Sequence, residues 1–244
     1  MDKIRKNDMT EMNFNNDVVN NNAPIRVSNE YDTVFFLVRH GQSIGNAKRE
    51  FLGHTDKDLS ELGYLQAQKT ADFLANERID IIYSSDLIRA YNTALPHAKL
   101  RGMQVIGDRN LRELQAGVWE GMRVEDIIAK YPHEFLDEWR ANFGLATLPG
   151  GESVQGAGER FYTEVMKIAE ENRGKRILIA AHAAVIRAFW GKMTSTAPED
   201  LASAFDYPTN ASVSVFYYDG KKLHAGEYSH DAHLADLRTE LNNA

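Results

Sequence analysis

Short apolar runs punctuate this chain, and longer stretches with helical spacing lie between them. Thr33-Val34-Phe35-Phe36-Leu37-Val38 is rich in β-branched and aromatic residues and predicts a buried strand. Asp58 or Ser60 can cap a helix starting near Glu61, with Tyr64, Ala67, Ala71 and Leu74 on one stripe. Ile79–Tyr83 predicts a second strand that runs straight into a helical stretch ending near Ala94. Residues 104–106 predict a short strand. After Ser153 the spacing of Phe161, Val165 and Ile168 predicts a helix to about Glu171, stopped before Gly174. Arg176–Ala181 is the most apolar run and predicts a central strand. Ser212–Tyr218 alternates like a strand with one exposed face, and Asp219-Gly220 turns the chain back through 222–224. Strands alternating with helices argue for an α/β domain whose sheet is mainly parallel and covered on both faces.

The ends and the bulk composition refine this picture. Residues 1–30 are polar and asparagine-rich, too poor in apolar surface to offset their ordering entropy, and predict a flexible tail ahead of a domain over 31–244. With 43% hydrophobic and 26% charged residues, the rest suits a globular domain. A net charge of −7 argues against nucleic-acid or anionic-membrane partners, though one basic pocket could still hold a small anion. The absence of cysteine removes disulfides, thiolate metal sites and thiol catalysis. No apolar run reaches membrane-spanning length and no signal-peptide core is evident, so a cytoplasmic location is expected. His230 and His233 are three apart, but without a third ligand nearby they predict no metal site.

Candidate chemistry concentrates where the first strand ends, in Leu37-Val38-Arg39-His40-Gly41-Gln42-Ser43-Ile44-Gly45-Asn46. Ligands of open α/β sheets bind beyond the carboxyl ends of strands. Arg39 offers a planar fork for phosphate oxygens, His40 a nucleophile, and Gly41 and Gly45 a backbone that can approach a ligand closely. This stretch resembles the signature of the histidine phosphatase superfamily: an aliphatic residue, any residue, Arg-His-Gly, Glu or Gln, three variable residues, then Asn. Further blocks resemble the same family: Leu59-Ser60-Glu61-Leu62-Gly63, Ser85-Asp86-Leu87-Ile88-Arg89-Ala90-Tyr91-Asn92-Thr93-Ala94, the run from Leu111-Arg112-Glu113 to Trp119-Glu120-Gly121, and Gly150-Gly151-Glu152-Ser153.

The resemblance implies a three-layer α/β/α domain with a short lid insertion over about 117–150. It implies that His40 takes the phosphoryl group as a phosphohistidine, that Glu113 is the general acid, and that a protonated His182 joins Arg39, Asn46 and Arg89 in binding the phosphoryl oxygens. Gly53 would line the substrate mouth. Ala183 stands where the family usually has glycine beside the phosphate, which leaves the local geometry open there. The implied reaction is metal-independent hydrolysis of a small phosphomonoester, with no cofactor. The implied partner is the small phosphorylated substrate, and a homodimer stays open. A phosphoglycerate mutase is the alternative, followed by a non-catalytic phosphate-binding module. The insertion holds Arg123, Lys130 and Arg140 against six acidic residues, poor equipment for a second phosphate.

Overall fold

The computed structural model describes residues 24–239. The chain forms strand β1 (Thr33–Arg39), helices α1 (Ile44–Ala47) and α2 (Glu61–Phe73), β2 (Ile81–Ser85), α3 (Ile88–Arg101) and β3 (Val105–Asp108). It continues with α4 (Val124–Lys130), α5 (Val154–Glu171), β4 (Arg176–Ala181), α6 (Ala183–Met193), α7 (Leu201–Ala204), β5 (Val213–Tyr218) and β6 (Leu223–Ala225). The strands make one sheet in the order β3-β2-β4-β1-β5-β6. β3, β2, β4 and β1 run parallel, and β5 and β6 run antiparallel at one edge.

All seven residues of β1 are buried, and its alternate side chains serve two different cores. Phe35 and Leu37 pack with Phe161 and Val165 of α5 and Phe189 of α6. Val34, Phe36 and Val38 pack with Leu74 behind α2 and with Ala94 and Ala98 of α3. Two cores on opposite faces of one sheet are the three layers that the sequence implies. β4 is central, as its apolar run predicts, because it pairs with both β1 and β2.

Three expectations change. β5 has no exposed face, since all six of its residues are buried. Part of the expected tail covers it: Tyr31 stacks on Tyr217 at 5.0 Å between centroids, and Ser28 N–H donates to the Tyr217 hydroxyl. Residues 24–30 are therefore held against the domain edge, while the remainder of that expected tail, residues 1–23, lies outside the described residues. Tyr64 is exposed rather than in the core, because its hydroxyl bonds Asp58 at the surface. Ser60, not Asp58, caps α2 by accepting from Gly63 N–H. Trp119, Phe135, Trp139 and Phe143 of the insertion are buried in the α5–α6 core, so the insertion is anchored by its aromatic residues. No helix is long and apolar enough to cross a membrane among the described residues.

Candidate active site

β1 and β4 end side by side, and their last residues deliver Arg39, His40 and His182 to the same edge of the sheet. Beyond that edge lies a cavity of about 440 Å³. Arg39, His40, Asn46, Gly53, Arg89, Glu113 and Ala183 all reach its wall. His182 does not, although it is wholly buried with its ring centroid 5.1 Å from that of His40.

His40 Nδ1 lies 2.7 Å from the Gly41 carbonyl. A carbonyl only accepts, so Nδ1 carries the hydrogen and Nε2 keeps its lone pair. Burial, with Arg89 and Arg39 close by, holds the ring well below the ordinary histidine pKa of 6.5, so it is neutral at pH 7. Burial depresses His182 in the same direction, helped by Arg89 and His40. Both nitrogens of His182 are without a hydrogen-bond partner. The protonated His182 expected from the sequence is therefore corrected: the empty pocket keeps it neutral, because the nearby guanidiniums oppose a third positive charge.

The two arginines are held by backbone carbonyls. Arg39 Nη1 donates to Pro208 O at 2.6 Å, and Arg89 donates to Gly53 O at 2.7 Å and Thr55 O at 3.0 Å. Burial pulls each down to about 10, which still leaves both charged at neutral pH. Each keeps a buried Nε with no partner. Two desolvated cations with spare N–H groups make a pocket suited to an oxyanion.

Glu113 sits at the start of α6. Its Oε1 accepts from Leu114 N–H at 2.9 Å and Val185 N–H at 3.1 Å, and its Oε2 from Ala184 N–H at 3.1 Å. Its loop is clamped by Arg160, whose guanidinium pairs with Glu152 and donates to the carbonyls of Asn110, Arg112 and Glu113. Ala183 is the first residue of α6 and is not among those with positive φ, so replacing glycine costs no backbone strain there. Gly53 contributes its carbonyl to Arg89, and its φ of +49° is the left-handed conformation that favours glycine. Asn46 closes a capping box with Ser43 on the short helix α1.

Several residues at the site gave no signal in the sequence. Asn210 donates to the His40 carbonyl at 3.1 Å and accepts from the Thr239 hydroxyl at 3.0 Å. Gln66 accepts from Gln42 N–H and donates to the Leu237 carbonyl. Thr93 accepts from Gly41 N–H. Glu120 accepts four hydrogen bonds, from His54 N–H, both donors of Thr55, and Ala116 N–H, and so fixes the turn after Gly53. Among the described residues, no group of three or more His, Asp or Glu side chains is placed to hold a metal ion. His230 and His233 instead stack on Phe73.

Fold and site together define an α/β protein built to receive a phosphoryl-type oxyanion beside a neutral histidine. The model of the histidine phosphatase superfamily (branch 1) matches residues 35–230, and the chain belongs to that superfamily. It is 31% identical to phosphoserine phosphatase 1 of Hydrogenobacter thermophilus, over 82% of this chain and 97% of that protein. It is 34% identical to a 2,3-bisphosphoglycerate-dependent phosphoglycerate mutase of Azorhizobium caulinodans, over 70% of this chain and 85% of that protein. A mycobacterial glucosyl-3-phosphoglycerate phosphatase superposes with a TM-score of 0.75 at 27% identity, covering 81% of this chain and 99% of its own. The chain is a histidine phosphatase, an enzyme of the phosphoric monoester hydrolase class.

Proposed function

We propose that this enzyme hydrolyses small phosphomonoesters without a metal ion, through a phosphohistidine at His40. The observation that carries the reading is the state of His40: neutral, with Nδ1–H held by Gly41 O and Nε2 free, between two buried guanidiniums. Nε2 attacks phosphorus as the bond to the leaving oxygen breaks. Charge spreads over the three equatorial oxygens, where Arg39, Arg89 and the amide of Asn46 oppose it. The dianion supplies the negative charge that His182 lacks in the empty pocket and draws that ring toward its protonated form. Oε1 of Glu113 accepts two N–H bonds and Oε2 one, so Oε2 retains a lone pair for the proton delivered to the leaving oxygen. The resulting carboxylate then takes a proton from water as that water attacks phosphorus. The N–P bond breaks, and inorganic phosphate leaves.

The test is turnover of an aryl phosphate in excess chelator, followed by trapping of labelled protein under alkaline quench. Turnover should persist, the trapped phosphate should be acid-labile, and His40→Ala should abolish both. Loss of activity in chelator with rescue by a divalent ion would overturn the reading. A mutase is the second reading, favoured by the likeness to the Azorhizobium enzyme. A coupled assay with bisphosphoglycerate separates the two, and efficient interconversion of the monophosphoglycerates would favour the mutase.

A further inference from the structure

The cavity is larger than a phosphate group needs, and its two ends differ in chemistry. One end holds Arg39, His40, Arg89 and Glu113. The remaining wall includes Phe51, Leu52, Leu114, Trp139 and Tyr207. Phe51 and Trp139 meet edge to face at 5.1 Å, and Trp139 and Tyr207 lie 6.2 Å apart between ring centroids. This wall is apolar except at two points. Trp139 is 3% exposed, and its Nε1–H has no hydrogen-bond partner. The Tyr207 hydroxyl is also buried without one. Buried donors are rarely left unpaired in native proteins, and two on the wall of one cavity point to a ligand that accepts from them.

The charges on the wall narrow the ligand further. Arg39, Arg49 and Arg89 are its cationic side chains among the described residues. The first two of the phosphate end, Arg39 and Arg89, are held at the catalytic histidine by backbone carbonyls. Arg49 is paired with Glu125 at 2.9 Å, and the neighbouring Glu50, paired with Lys57, adds negative charge to the wall. A carboxylate on the leaving group would be desolvated against aromatic rings with no unpaired cation to meet it.

We propose that the substrate is the phosphate monoester of an uncharged, flat apolar alcohol bearing a hydrogen-bond acceptor, seated against Phe51, Trp139 and Tyr207. The proposal rests on the phosphatase reading above and names its substrate class. It separates this chain from relatives whose names specify phosphoserine and phosphoglycerate, both of which carry a carboxylate.

Benzyl phosphates test it, because their leaving oxygens are chemically alike. The panel is 4-acetylbenzyl, unsubstituted benzyl and 4-carboxybenzyl phosphate, with phosphoserine added. Expected kcat/KM is highest for the acetyl ester, about tenfold above benzyl and at least about tenfold above the carboxylate, the scale of one hydrogen bond or one unpaired polar group. Tyr207→Phe should cancel much of the acetyl advantage and leave benzyl phosphate unchanged. Trp139→Phe, which removes the other donor but also alters packing, should act in the same direction. Equal rates across the panel, a preference for 4-carboxybenzyl phosphate or phosphoserine, or an acetyl advantage untouched by either variant would overturn it. The affinity of His40→Ala for the same four esters, measured by calorimetry, should follow the same ranking without turnover. If no ester is hydrolysed but this ranking holds, the phosphatase reading fails and the ligand class stands. If esters are hydrolysed and the ranking is flat, the ligand class fails alone.

Discussion

Glu113→Gln isolates the proton that the leaving group needs, and its cost divides into two measurable parts. The carboxylate accepts three backbone N–H bonds, two on Oε1 and one on Oε2. A glutamine oxygen in the Oε1 position keeps Leu114 and Val185, but its NH2 then faces Ala184 N–H, donor against donor. One buried N–H left unpaired costs about 1–3 kcal/mol. Loss of the negative charge at the N-terminus of α6 adds about 0.3–1 kcal/mol. In a domain of this size each kcal/mol moves Tm by about 2–4 °C, so a fall of roughly 5–10 °C is expected. The catalytic part depends on the ester. General acid catalysis contributes about 10²–10⁴ in rate, and only where the departing oxygen needs a proton. Alkyl phosphates should therefore slow by that range in Glu113→Gln, whereas nitrophenyl phosphate, whose oxygen departs as a stable anion, should slow by no more than about tenfold from the disturbed helix start. The assay is kcat/KM across phosphate esters of graded leaving-group pKa, with a steeper dependence in the variant. Parallel losses for both ester types would show that Glu113 only holds α6 in place, and the acid would have to be sought elsewhere on the cavity wall.

Two further outcomes follow from the same contacts. His97 is pulled down to about 3 by burial and Arg101, and His233 to about 4 by burial and His230, from an ordinary 6.5. Below pH 6.5 the unfolded chain takes up protons that the folded chain refuses, so stability falls as pH falls from 6.5 toward 4. Urea midpoints should drop between pH 7 and 5, and His97→Leu should flatten that slope; an unchanged slope would refute the assignment. Gly53→Ala would place a Cβ 2.3 Å from Glu120 Oε1 at a φ of +49°. Its strain of about 1–3 kcal/mol should lower Tm and, by shifting the carbonyl that holds Arg89, weaken inhibition by inorganic phosphate. Phosphate inhibition equal to wild type would mean that this turn does not position Arg89.

What was legible in the sequence was local. The run into Arg39-His40 reads as a strand because burial on both faces leaves it continuously apolar. Ser60 and Gly63 announce the start of α2, and Gly174 the end of α5, because caps and left-handed stops are written within a few residues. Gathering Arg89, Glu113 and His182 around His40 came from resemblance, since no spacing rule joins residues so far apart. The protonation of His182 was misjudged because it depends on the two buried guanidiniums converging on it, a property of the folded pocket alone. Asn210, Gln66 and Tyr207 were silent for a related reason. Each is a polar or aromatic residue of no marked pattern, and its weight comes from partners more than sixty positions away, Asn210 reaching His40 across 170 positions and Gln66 reaching Leu237 across 171.

Those silent residues explain why the catalytic loop can hold a strained task on a short segment. Gly41 N–H is taken by Thr93 of α3, Gln42 N–H by Gln66 of α2, and the His40 carbonyl by Asn210 ahead of β5. Each bond comes from a different part of the chain, so no single loop movement releases the nucleophile. Gly41 and Gly63 permit this close assembly, because a Cβ on Gly41 would come within 2.4 Å of the Gly63 carbonyl. A phosphoryl acceptor must meet phosphorus in line, and misplacement by about 1 Å can cost about a hundredfold in rate. Fixing the backbone on either side of His40 with donors and acceptors, rather than gripping the imidazole itself, leaves Nε2 free to form the new bond while its direction stays set. The ring makes one hydrogen bond to the protein, at Nδ1, and it is the bond that selects the nucleophilic tautomer.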